Sequence, residues 1–183
     1  MHRLAVGIKD HVQDVQGQNV VRAVHKDLGI SVPGIRLIKI FLVDGLKDEQ
    51  IDQAVAKGLL HDPVLQQVSL SPLASDFDWI LEVGYRPGVT DNEGRVARDT
   101  LRTGLKLSKT EAPEVFTAIQ YLIQGSLERS DVQRMATDLL ANELIERIQP
   151  RLRAYILRCT LNEDVTEDIV QETFLRVYRK RRD

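Results

Sequence analysis

The stretch that decides the fold is VGYRPGVTDNEGR, residues 83–95, because a related stretch stands 77 residues earlier. The earlier stretch, VGIKDHVQDVQGQ, covers residues 6–18. At one offset the two share a Val-Gly lead, a basic residue, a Val, an Asp and a Gly. One shared Asp or Gly would carry no weight, but this many matches at a constant offset predict a duplicated unit.

The repeat continues at an offset near 80. IRLIKIFLVDG (35–45) corresponds to VFTAIQYLIQG (115–125), and AKGLLHDPVLQQV (56–68) corresponds to ATDLLANELIERI (136–148). Solenoid repeats have periods of about 20–50 residues, so a period this long indicates a duplicated domain.

Both copies follow one coarse plan. A β-rich segment (4–8; 79–85) precedes a helix for which Asp14 or Asp91 is placed as the N-cap. Gly17 and Gly94 fall in the first helical turn, where glycine indicates close backbone approach. A second strand, a second helix (about 48–60; about 129–140) and a last apolar segment follow. This order predicts an α+β fold of two β-α-β-α-β units with packed antiparallel sheets and helices on one sheet face.

The pattern changes at residue 150, so we expect domains at 1–73, 74–149 and 150–183, with residues 70–76 as the connector between the first two. The last segment predicts a helical hairpin, because two stripes recur at helical spacing. These stripes are Leu152, Tyr155, Ile156 and Cys159, and then Ile169, Val170, Thr173, Phe174, Val177 and Tyr178. Residues 144–148 fit either the last strand of copy two or an extension of the first tail helix.

Composition excludes several classes of protein. The net charge of -2 argues against a general nucleic-acid binder, although residues 150–183 hold eight Lys/Arg against six Asp/Glu. No apolar run is long enough to cross a bilayer, so no membrane partner is expected. Cys159 is the only cysteine, which rules out an internal disulfide and fits a cytoplasmic protein.

The sequence contains few candidate motifs for catalysis or ligand binding. There is no Walker loop, no G-x-S-x-G elbow and no H-E-x-x-H motif, and the four histidines lack ligand spacing. DNEG (91–94) is faintly like a calcium loop, but without the closing Glu a capped helix start is the better interpretation. Cys159 lies on an apolar stripe, as a buried cysteine would. We therefore expect no catalytic, cofactor or metal site.

Residues 2–148 resemble a known family. HRLAVGIKDHVQDVQGQNVVRAV (2–24) and PLASDFDWILEVGYRPGVTDNEGRVARDTL (72–101) are similar to the N-terminal PurS-like region of phosphoribosylformylglycinamidine synthase, an ATP-dependent, glutamine-using ligase of purine biosynthesis. The resemblance implies a docking domain whose partners are the synthase catalytic domains and the glutaminase. Glutaminase chemistry of this class needs a Cys activated by a His, and the only Cys lies outside the duplicated region. We therefore expect the chain alone to show neither ATP hydrolysis nor glutaminase activity, although the resemblance places it with a ligase.

The tail resembles another family. RLRAYILRCTLNEDVTEDIVQETFLRVYRK (151–180) is similar to the start of region 2 of extracytoplasmic-function sigma factors, most of all in EDIVQETF (167–174). In that family this helix contacts the clamp of the RNA polymerase β′ subunit. The resemblance implies polymerase contacts at Asp168, Gln171 and Glu172, whereas an ordinary amphipathic helix would leave these side chains in water.

Two hypotheses remain open: a docking domain of the purine enzyme, and a polymerase-binding module. The sigma-like segment stops at Asp183, before the promoter-reading part of that family, so independent DNA binding is not expected. The pair could also be a fusion or a fragment without one joint function.

Overall fold

The structure is a computed structural model that describes residues 1–73, 76–85, 90–140 and 174–179. In chain order its elements are β1 (His2–Ile8), α1 (Val15–Leu28), β2 (Gly34–Asp44), α2 (Asp48–Ala56), β3 (Gln66–Ser69), β4 (Trp79–Gly84), α3 (Asn92–Gly104), β5 (Glu114–Gln124), α4 (Arg129–Arg134) and β6 (Phe174–Arg179). A 3-10 turn (Lys109–Glu111) precedes β5, and a π-helical turn (Met135–Leu140) follows α4. The fold is mixed α/β.

The strands form one antiparallel sheet in the order β3-β1-β2-β5-β4-β6. Five of its strands lie within residues 2–124, and Phe174–Arg179 is the sixth. The predicted packing of two sheets is wrong: β2 and β5 pair edge to edge over their whole length, from Gly34 opposite Gln124 to Asp44 opposite Glu114. Two strands of equal length satisfy each other's backbone groups this way and leave neither as an exposed edge.

Helices cover one face of the sheet, and α1 and α3 each pack on strands of both halves of the chain. Helix α1 belongs to the first half of the chain, but its buried Val20 and Val24 pack in a cluster with strands of the second half. We call this cluster the α1 core; it includes Trp79, Leu81, Val83, Tyr121, Ile123, Val132 and Met135. Helix α3 belongs to the second half, but its Ala97 and Leu101 pack over the first half. This α3 core includes Leu4, Val6, Phe41, Val43, Ile51 and Val115.

The opposite face of the sheet is also partly apolar. Ile38, Ile40 and Leu122 are buried there, and Leu73 and Phe77 from the segment between β3 and β4 pack against them. The connector between the halves therefore contributes to the core.

The structure differs from the predicted C-terminal helical hairpin at residues 174–179. Phe174–Arg179 is a strand that pairs with β4, where the sequence predicts the end of a helix. Strand β4 pairs with β5 along one edge, which leaves its other edge available to an extended segment, and FLRVYR is rich in aromatic and aliphatic residues that favour strands. The remainder of the predicted hairpin, residues 150–173, lies outside the described residues.

Candidate functional site

The starts of α1 and α3 carry the same polar arrangement. Asp14 precedes α1, and its Oδ1 accepts a hydrogen bond from the backbone N–H of Gly17 at 2.8 Å. Its Oδ2 accepts from the N–H of Leu37 at 3.1 Å. Strand β1 pairs with β2 only as far as Gly7 opposite Ile38, so the Leu37 N–H lies just past the paired region. Asp14 therefore joins the helix start to the sheet at the point where strand pairing stops.

Asp91 does the same for α3, with one more partner. Its Oδ1 accepts from the N–H of Gly94 at 2.7 Å, and its Oδ2 accepts from the N–H of Thr117. The Thr117 hydroxyl also lies 2.9 Å from Oδ2 and 3.0 Å from Oδ1. Strand β4 pairs with β5 only as far as Gly84 opposite Ala118, so Thr117 corresponds to Leu37. Sequence reasoning missed both partners, although the offset of 80 aligns them.

Glycine is required at both helix starts because the helices touch the strands. A Cβ at Gly17 would overlap the carbonyl oxygen of Ile35, and one at Gly94 would overlap that of Val115. Every carboxylate oxygen of Asp14 and Asp91 accepts at least one hydrogen bond from the chain's own backbone or from Thr117, so these carboxylates hold the fold.

A shallow cleft of about 360 Å³ lies beside α3. It is lined by Phe41, Leu59, Leu60, Asn92, Glu93, Val96, Ala97 and Thr100. Its one carboxylate, Glu93, forms an ion pair with Lys39 at 2.5 Å. The cleft is therefore an apolar hollow with a neutralised charge, and it lacks the converging polar groups of a catalytic site.

No group of three or more His, Cys, Asp or Glu side chains within the described residues could hold a metal ion. In the same part of the chain, no helix is both long and apolar enough to cross a membrane. The predicted polymerase contacts, Asp168, Gln171 and Glu172, lie outside the described residues.

Comparison with known proteins gives one match. A family model described as sigma-70 region 2 matches residues 144–183, less than a quarter of the chain. No curated protein and no solved structure matches significantly, and no comparison returns a protein of purine biosynthesis. Within the matched range the structure describes Phe174–Arg179. The sigma-like similarity of the tail is thus found by two routes, by its EDIVQETF run and by the family model.

Proposed function

We propose that this chain binds RNA polymerase through its C-terminal segment. The observation that carries the proposal is the sigma-70 region 2 match over residues 144–183. The match contains Asp168, Gln171 and Glu172, which we assign as the contacts to the β′ clamp.

The charges of the tail suit such a contact. Five acidic residues, Glu163, Asp164, Glu167, Asp168 and Glu172, are concentrated in one stretch, and five of the tail's eight basic residues follow it from Arg176 onward. A contact made by acidic side chains and a cationic surface gains its specificity from charge and weakens as salt rises.

The test is a charge reversal in the full chain. Asp168→Lys with Glu172→Lys should weaken binding to a purified β′ clamp fragment, and the affinity of the wild type should fall with increasing salt. The matched control is Asp27→Lys with Asp52→Lys, which makes the same change in net charge at two exposed helix positions. If the control weakens binding as much as the tail variant does, or if the wild type does not bind at low salt, the proposal is wrong.

A second candidate function is a docking domain like the PurS-like region of the purine enzyme. It is favoured by the likeness between the two halves. Each half has strand, Asp-started helix, strand and helix in the same order, and the inner strands β1-β2-β5-β4 place the first two strands of each half symmetrically about the β2–β5 pair. We propose that the halves arose by duplication, which the paired hydrogen bonds of Asp14 and Asp91 support.

This candidate is tested with a split synthase that lacks its small bridging subunit. Adding the full chain should restore glutamine-dependent formation of product while leaving ammonia-dependent activity unchanged. Asp168→Lys with Glu172→Lys should restore activity as well as the wild type does, which separates this function from polymerase binding. Absence of any restoration would remove the docking proposal.

A further inference from the structure

We infer that strand β6 is an autoinhibitory contact: pairing of Phe174–Arg179 with the edge of β4 holds the sigma-like segment away from polymerase. The inference rests on the proposed polymerase binding and adds a means of controlling it. Two observations support it. The edge of β4 is occupied by β6, and the sequence of the tail suits both a strand and a helix.

The edge of β4 has a defined occupant. Strand β4 pairs with β5 on one side and with β6 on the other, in register from Trp79 opposite Arg179 to Gly84 opposite Phe174. Without β6, β4 would expose a row of unpaired backbone N–H and C=O groups beside buried Leu81 and Val83. Pairing is more extensive here than at the other end of the sheet, where β3 covers β1 only from Ala5 to Ile8.

The same residues also carry a helical pattern. Ile169, Thr173 and Val177 are spaced four apart, and so are Val170, Phe174 and Tyr178. Two adjacent rows at this spacing predict one apolar stripe on a helix that continues through Tyr178. The structure therefore has a strand at residues 174–179, where the sequence pattern predicts a helix.

The two states exclude each other, because a residue cannot have helical and extended backbone dihedral angles at the same time. In a helix each backbone N–H donates to the carbonyl four residues earlier, whereas in β6 the backbone is extended and alternate N–H groups face β4. Glu172 precedes the strand by two residues, so the assigned contacts lie directly beside the segment that must change. The clamp can bind the helical form only after residues 174–179 leave β4.

A reversible lock tests the inference in the full chain. With Cys159→Ser removing the natural thiol, Glu82→Cys and Arg176→Cys place two cysteines at opposed positions of β4 and β6. Opposed side chains in antiparallel strands have Cβ atoms about 4.5–5.5 Å apart, close enough for a disulfide after small adjustment. The control pairs Glu82→Cys with Leu175→Cys, because a shift of one residue sends the side chain to the other face.

We expect a disulfide in the monomer of the Glu82/Arg176 pair and little in the control pair. The oxidised protein should then bind the β′ clamp fragment at least about tenfold more weakly than the same preparation after reduction. Failure of the registered pair to crosslink above the control, or equal affinity of the oxidised and reduced forms, overturns the inference while polymerase binding stands. If neither form binds, and the wild type does not bind either, polymerase binding itself fails and this inference falls with it.

Discussion

At the scale of single residues, Asp91 is the polar side chain on which the second half depends most. Asp91→Ala leaves the N–H groups of Gly94 and Thr117 and the Thr117 hydroxyl without their partner, and Thr117 is buried. We expect a loss of about 2–3 kcal/mol in the free energy of unfolding, measured by urea denaturation.

Asp14→Ala should cost less, about 1–2 kcal/mol, because Asp14 serves two backbone groups and no hydroxyl. Asp52→Ala, at an exposed position of α2, should change stability by no more than about 0.5 kcal/mol. An Asp91→Ala loss as small as that of Asp52→Ala would show that water replaces these bonds at no cost.

Replacing Gly94 by alanine should change stability in the direction opposite to the one that helix propensity predicts. In an exposed helix, Gly→Ala stabilises by about 1 kcal/mol. At Gly94 the added Cβ would overlap the Val115 carbonyl oxygen, which is part of the backbone of β5 and cannot turn aside as a side chain can. Gly94→Ala should therefore destabilise by about 1–3 kcal/mol in urea denaturation. Asn19→Ala, at an exposed position of α1, is the control and should be neutral or stabilising; a stabilising Gly94→Ala would refute the close contact.

The sequence predicts these residues only in part. The Asp-Gly spacing and its repetition indicate the two helix starts and their need for glycine. They do not reveal that each carboxylate also reaches a strand, because Leu37 and Thr117 lie 23 and 26 residues away along the chain. Contacts of that range depend on tertiary structure, which local pattern does not specify.

At the scale of elements, the 3-10 turn before β5 has a titratable cap. The Ser108 hydroxyl donates to Glu111 at 2.6 Å, and the Ser108 N–H donates at 3.1 Å. These two bonds, the hydroxyl first, lower the pKa of Glu111 below its ordinary value. A lowered pKa in the folded state means that the bonds stabilise the turn at neutral pH, and that this contribution is lost as the pH falls through the folded pKa.

Ser108→Ala should raise the pKa of Glu111 toward its ordinary value, since it removes the larger of the two causes. An NMR titration of the Glu111 carboxyl carbon measures the shift directly. Ser71→Ala, which removes a hydroxyl on the connector, should leave the titration of Glu111 unchanged. A wild-type Glu111 that titrates at the ordinary value would show that the turn is not capped in solution.

Element boundaries follow from the sequence less well than element order does. Helix α2 ends at Ala56 rather than near residue 60, because Gly58 has a φ of 62° and turns the chain out of the helix. The pairing of β2 with β5 could not be predicted, for a different reason. Ile35 and Val43 are buried toward the helices, while Ile38 and Ile40 are buried on the opposite face. Apolar residues on both faces indicate a strand inside a sheet, but they do not indicate which strand pairs with it.

At the scale of the whole molecule, the exchange of α1 and α3 makes the two halves depend on each other. Residues 1–73 contain Val20 and Val24 of α1 and the buried Ile35 of β2 from the same cluster, but they lack its β4 and β5 side chains. The same residues contain Leu4, Val6 and Val43 but lack Leu101 and Val115, which complete that cluster. Neither half can complete its apolar cluster by itself, and separation of β2 from β5 would leave both strands with an open edge.

We therefore expect polypeptides 1–73 and 74–183 to be unfolded or self-associated when purified separately, and to recover the native circular dichroism spectrum and a one-to-one complex when mixed. Self-association is the alternative for each half because an open edge and an uncovered helix face can be satisfied by a second copy. Size-exclusion chromatography with light scattering separates the two states. Leu101→Ala in the second polypeptide should weaken reassembly, since loss of a fully buried leucine costs about 2–5 kcal/mol. The exposed Val96→Ala is the control and should have little effect. A folded, monomeric 1–73 would mean that α1 can cover its own strands, and the exchange of helices would not be needed for stability.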